Sequence, residues 1–152
     1  MHPKSFPNWY TFKMKAVAQE APMGCAVACT ASLAGLSYKE MRRFYVKGSI
    51  KDRTTGFYNK DIVSALAKAN IEARGSTART FGKRKMKPGT IVFITRSKKF
   101  PEGHFLLKAT RGWMNPWLNL SKKGKPIAGF QNRLPGKAEW VITTKINSNI
   151  LH

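Results

Sequence analysis

The apolar residues fall into two patterns, one for each half of the chain. From Ala26 to Ala34 there is an uncharged run of small and apolar residues with no helix breaker. A polar turn precedes it and Gly35 follows, so it reads as a buried helix with Cys25 in its first turn and Gly35 as its stop. Ser37-Tyr38-Lys39-Glu40 has the form of a capping box, starting a second helix that runs to about Val46 and ends at Gly48. Tyr38, Met41 and Tyr45 share one face of it. After a polar loop from Lys51 to Gly56, Asn59 caps a third helix, Lys60 to Ala69. Its apolar stripe is Ile62, Val63, Leu66 and Ala69, and Asn70 is its stop.

Beyond Asn70 the helical spacing gives way to short β-branched and aromatic runs. Ile71 to Arg74 reads as a short strand, and Gly75 to Pro88 as a basic loop. Gly89 to Thr95 carries Thr-Ile-Val-Phe-Ile, the signature of a buried central strand. A loop over 97–103 leads into Gly-His-Phe-Leu-Leu, a turn at 110–112, and Trp113-Met-Asn-Pro-Trp117. Leu118 to Gly136 is rich in Gly, Pro and Lys and reads as loops around one short element at 127–130. Glu139 to Ile146 is the final strand. Helices first and strands after them predict an α+β fold, N-terminal helices packed on a C-terminal antiparallel sheet. The whole of 1–152 is expected to be a single domain. Residues 1–17 form an N-terminal arm, with Trp9, Tyr10 and Phe12 packing back, and 147–152 a flexible tail.

Cys25, at a helix start, sees the positive end of the helix dipole and free amide N–H groups, and both favour a thiolate. Gln19 lies six residues upstream across a turn holding Pro22 and Gly24. Its carboxamide can swing back to donate to an oxyanion beside the Cys25 N–H. Of the three histidines, His2 and His152 are at the ends, leaving His104 as the internal base candidate, with Asn115 to orient its ring. The turn between their strands decides whether they meet. A four-residue connection, Lys108 to Arg111, sets them opposite at about 5 Å between Cα atoms. A two-residue turn at Arg111-Gly112 keeps them on one face but displaced, and a three-residue turn puts them on opposite faces. Each residue also has a plain alternative. Cys25 could be a small core residue, Gln19 a turn cap, His104 a strand-edge histidine and Asn115 ordinary turn chemistry. Cys29, one turn after Cys25, is expected to pack in the core.

Gln19 with Cys25 six residues on, a small-residue helix, Gly-His-Phe-Leu-Leu and a strand ending in Asn-Pro-Trp resemble the bacteriocin-processing (double-glycine leader) cysteine peptidases. The last patch is also similar to the Asn-Ser-Trp of papain. The resemblance covers roughly Gln19 to Trp117, through four short patches. It implies a papain-like fold and a catalytic set of Cys25, His104, Asn115 and Gln19, with no cofactor. It departs from the family in having Gly24-Cys25-Ala26 for Asp-Cys-Gly, and Asn115 where the family usually has Asp. The expected activity is cleavage of a peptide or isopeptide bond by a cysteine hydrolase through a thiolate–imidazolium mechanism. Transfer to an amine or thiol is left open.

Length and composition bound this picture. A chain of 152 residues with 42% hydrophobic content can bury a core without staples. Two cysteines four apart do not make a disulfide framework, and suit a reducing compartment. No stretch is long and apolar enough for a membrane span, and the N-terminus does not read as a signal peptide. A cytoplasm, a host's included, or a virion is the expected location, and a monomer the expected state. Zinc, phosphate-loop and EF-hand spacings are absent, so no metal site is expected.

Charge adds a second theme. Lys and Arg number 28 against 7 Asp and Glu, a formal net charge of +21. The basic residues cluster at Arg79, Lys83, Arg84, Lys85 and Lys87, then at Arg96, Lys98 and Lys99, then at Lys122, Lys123 and Lys125. Such an excess predicts a polyanionic partner, nucleic acid among them, beside the peptide or protein substrate. The competing class of function is a non-catalytic papain-like scaffold that binds nucleic acid or another polyanion through this surface. No zinc-finger or RNA-recognition pattern points to sequence-specific readout.

Overall fold

A computed structural model describes residues 14–120 and 124–146. The aromatic residues of the arm, Lys122 and Lys123, and the tail at 147–152 lie outside them. Five helices, α1 (Cys25–Ala34), α2 (Tyr38–Arg42), α3 (Gly48–Lys51), α4 (Asn59–Lys68) and α5 (Ala78–Phe81), are described. Six strands are described, β1 (Ile71–Thr77), β2 (Ile91–Ile94), β3 (His104–Ala109), β4 (Gly112–Asn115), β5 (Gly129–Gln131) and β6 (Ala138–Ile146). The strands form one sheet in the order β1-β6-β2-β3-β4-β5, every neighbouring pair antiparallel. The arrangement is α+β, with the main helices preceding the sheet. No helix among the described residues is long and apolar enough to cross a membrane.

α1 is buried from Ala26 to Leu33 because it carries no charge to keep in water. Its last carbonyls are closed by the N–H groups of Gly35 and Leu36. Ser37 and Glu40 form the expected capping box, at 3.1 and 2.9 Å. α2 nevertheless ends at Arg42, short of Val46. Asp52 is fully buried and takes hydrogen bonds from Tyr38 (2.8 Å) and Arg42 (3.2 Å), which folds the following segment back against α2 as α3. Gly48, expected to end a helix, therefore begins one. In α4 the Asp61 carboxylate accepts from the Tyr58 N–H at 2.8 Å, so the helix starts one residue early and Asn59 is inside it.

β1 continues past Arg74 to Thr77, pairing residue by residue with β6. Gly75 and Ser76 have little strand preference of their own, so the neighbouring strand decides. The short helix α5 then occupies part of the expected loop. The β3–β4 connection is a two-residue turn at Thr110-Arg111, with Ala109 opposite Gly112. That register places Asn115 opposite Leu106, two residues from His104 on the same face.

Alternation along the strands gives the sheet two covered faces. On one, Ile91, Phe105, Leu107, Met114 and Ile142 pack with α1, α2 and α4. On the other, Val92, Ile94, Leu106, Trp113 and Val141 pack under Phe81, Met86, Phe100, Leu120 and Leu134. Helices cover the first face, while α5 and loops cover the second. The described end of the arm belongs to the first core: Met14 is buried, and the Ser32 hydroxyl donates to the Lys15 carbonyl.

Candidate active site

The two covered faces meet at one end of the sheet, where β3 begins, β4 ends and α1 starts. Cys25 is the first residue of α1 and half-buried. Gly24, in the cap position, has no room for a side chain: a Cβ there would lie 2.0 Å from the Tyr38 hydroxyl. The acidic residue that the resembled family carries before its cysteine is thus sterically excluded here. Tyr38 is held in turn by Asp52, whose backbone carbonyl accepts from the Met23 N–H at 2.8 Å. The turn that presents the thiol is therefore braced from α2 and α3.

Across the cleft, His104 is 4% exposed and Asn115 is 1% exposed. His104 Nε2 and Asn115 Oδ1 are 2.8 Å apart. The surrounding bonds fix the amide's orientation. Asn115 Oδ1 also accepts from the Trp117 N–H at 2.9 Å, and Asn115 Nδ2 donates to Gln131 Oε1 at 2.8 Å. Gln131 Nε2 donates to the Arg133 carbonyl at 3.1 Å, which settles its own orientation. The group facing the imidazole is therefore an acceptor. Nε2 carries the ring proton and Nδ1 keeps its lone pair, the form a general base needs. Phe100 stacks on the ring, centroids 4.6 Å apart and planes 13° from parallel. Gly103, with φ +75°, lets β3 start here: a Cβ would fall 2.1 Å from the Phe93 ring.

Gln19 is 2% exposed, and its backbone N–H donates to the Pro116 carbonyl at 3.2 Å, tying the cysteine turn to the segment after Asn115. Its Nε2 donates to the carbonyls of Ala21 (2.9 Å) and Pro22 (3.0 Å). Both amide hydrogens thus have partners, while Gln19 Oε1 and Trp117 Nε1 are buried with none. Gln19, Cys25, His104 and Trp117 all line one cleft of about 1770 Å³.

Burial dominates the electrostatics. It pushes the Cys25 thiol up to about 11, against the backbone amides of Phe105, Ala26 and Cys25 itself. The helix N-terminus does not overcome that loss of water. Burial also pulls His104 down to about 4; the Asn115 bond opposes this and Lys99 adds to it. At neutral pH the resting groups are a thiol and a neutral imidazole. Cys29, on the core side of α1, is fully buried, its thiol pushed up by desolvation and then by Cys25.

Of the basic residues singled out, Arg79, Lys83, Arg84, Lys85, Lys87, Arg96, Lys98, Lys99 and Lys125 are all exposed. Arg79 and Arg96 also line the cleft. Gln131, Phe100 and Asp52 carry structural roles at the site that periodicity does not reveal. Gln131 and Asp52 meet partners 10 to 16 residues away, which only the strand register and the packing bring in, while Phe100 stacks on His104 across the short turn before β3.

No family model matches the chain, and no curated protein matches it. Among solved structures it is similar to the peptidase domain of Streptococcus ComA, a bi-functional ABC transporter involved in a quorum-sensing pathway. The TM-score is 0.56 at 18% identity, covering 88% of this chain and 98% of that one. The peptidase domain of Streptococcus mutans ComA gives 0.50 at 18% identity, covering 86% and 98%. The fold is the papain-like fold of these peptidase domains, the one the sequence patches imply.

Proposed function

We propose that the chain is a cysteine peptidase-like hydrolase in which Cys25 attacks the carbonyl of a peptide or isopeptide bond. The observation that carries this reading is the hydrogen-bonded His104–Asn115 pair, its Nδ1 left as a base, in the same cleft as Cys25. With the resting thiol and imidazole both neutral, the thiolate–imidazolium pair forms during the reaction. His104 Nδ1 takes the Cys25 proton as the sulfur attacks, and the Asn115 oxygen steadies the imidazolium that results. The Cys25 N–H lies beside the developing oxyanion, and Gln19 joins it by releasing one of its two carbonyl contacts. A single donor of this kind is worth roughly 3–4 kcal/mol in the transition state. His104 then returns the proton to the leaving amine, and water releases the acyl group from sulfur.

The size of the cleft, about 1770 Å³, supports a peptide as substrate. Cytoplasmic action as a monomer completes the reading.

The test is covalent. Purified chain is screened against a pool of fluorogenic peptides, and a peptide aldehyde of a cleaved sequence is then added. Turnover lost in Cys25→Ala and in His104→Ala, with the aldehyde carbon bonded to Cys25 Sγ by mass spectrometry, is the expected result. Turnover unchanged in Cys25→Ala overturns it.

A further inference from the structure

The two covers of the sheet differ in charge as well as in structure. Residues 78–137 contain 15 Lys and Arg and a single acidic residue, Glu102, while the rest of the chain has 13 and 6. The basic loops of that segment are pinned to the same sheet face by their own apolar residues. Phe81 and Met86 anchor the first, Phe100 the second, and Leu120 and Leu134 the stretch after β4. With those side chains turned inward, the cations are left on the outer surface: Lys83, Lys85, Lys87, Lys98 and Arg133 are all exposed. They are also unneutralised. Among the described residues the one ion pair, Arg42–Asp52, is on the helix side.

We propose that this loop-covered face is a docking surface for the phosphate backbone of a nucleic acid. Like charges held close on a folded surface repel one another, and a polyanion relieves that while releasing its condensed counterions. A protein partner fits less well, because protein interfaces centre on apolar and aromatic anchors and are depleted of Lys. Here Phe81, Phe100 and Trp113 point into the core, 5%, 1% and 7% exposed. A membrane surface fits less well too: the first two loops offer it cations without insertable side chains, and the exposed apolar residues of the segment, Leu118 and Ile127, are confined to the stretch after β4. The contacts expected are to phosphate and not to base edges, so binding is insensitive to sequence.

The test uses the full chain carrying Cys25→Ala and a fluorescein-labelled 20-base-pair duplex DNA, read by anisotropy across a salt series. Binding whose logarithm falls steeply with log salt, with a slope of about −4 or steeper, is expected. The triple variant Lys83→Gln, Lys85→Gln, Lys87→Gln should flatten that slope by about 2 to 3 and weaken binding at low salt at least 10-fold. A control triple on the helix side, Lys39→Gln, Arg43→Gln, Lys47→Gln, removes the same charge and should change affinity less than about 3-fold. Equal losses in the two triples would show a net-charge effect and overturn the proposal. So would a slope shallower than about −1. Binding to phosphatidylglycerol vesicles or to poly-glutamate, with none to the duplex, would overturn it in favour of a membrane or an acidic protein.

Discussion

The sheet's two faces solve the same problem with opposite materials. α1 lies on one face with ten residues that carry no charge, and it packs there beside α2 and α4. The other is covered by short loops whose few apolar anchors hold down a dense array of cations. The difference teaches where function can reside. The loop-covered side is rich in solvent-facing charge, and Cys25, His104 and Asn115 are at the rim between the two. Cys25 belongs to the first side. His104 and Asn115 belong to the second, under Phe100.

Substitutions in the three zones should fail in three different ways. At the rim, Cys25→Ala or His104→Ala should lower kcat/KM on any cleaved peptide by about 10⁴-fold or more, and Cys25→Ala should do so with the unfolding midpoint kept. In the helix-side core, Leu107→Ala should cost about 2–5 kcal/mol in a urea titration, with little effect on activity while the protein stays folded. Loss of activity without loss of stability there would break the division.

The third consequence is in the pH dependence of folding. The folded His104 is held near 4, below its ordinary value of 6.5, so under mild acid the unfolded chain binds the extra proton. Stability from this group is present above about pH 6.5 and drains away as pH falls towards 4, by about 3 kcal/mol in all. A His104→Gln variant should lose that part of the slope when ΔG is measured from pH 7 to 4.

Smaller still is the effect of the amide that steadies Asn115. A carboxylate in that place would present an oxygen either way round. An asparagine presents an oxygen to His104 only when its amide is held in one orientation. Gln131→Leu should lower kcat by about 10- to 100-fold, the scale of losing an orienting partner. Gln131→Glu, which keeps an acceptor for Asn115 Nδ2, should recover most of it. Smallest is Lys85→Gln on the loop side, expected to shift stability by no more than about 0.5 kcal/mol.

Elements defined by their own residues were legible in the sequence. α1 is bounded by Gly24 and Gly35, and the β-branched run of β2 and the length of β6 are plain. The residues proposed for the site also carry local marks, since Cys25, Gln19, His104 and Asn115 each sit at a turn or an element end, and the first three line one cleft with Asn115 bonded to His104. The rest depended on partners far along the chain. Gly75 and Ser76 are strand only because β6 is beside them. α2 stops early only because Asp52 draws the chain back. Three turn lengths were open between β3 and β4; the turn is a two-residue one, but at Thr110-Arg111 and not at Arg111-Gly112, one residue earlier than expected, which sets Asn115 two residues along from His104. Gln131 reaches Asn115 from a strand 16 residues away, and nothing in its local sequence marks it.

The claim at the centre is that His104 serves Cys25 as a base although both rest uncharged. The rate of Cys25 alkylation by iodoacetamide, followed from pH 3.5 to 10 in wild type and in His104→Ala, measures that directly. Cys29 is fully buried, so single labelling at Cys25 is confirmed by mass. In wild type the rate should fall with a midpoint near 4, where the imidazole protonates, and be nearly level across neutral pH. In His104→Ala it should be far slower at pH 6 and climb about tenfold per pH unit towards the thiol's own value near 11. Superimposable profiles for the two proteins would contradict the account.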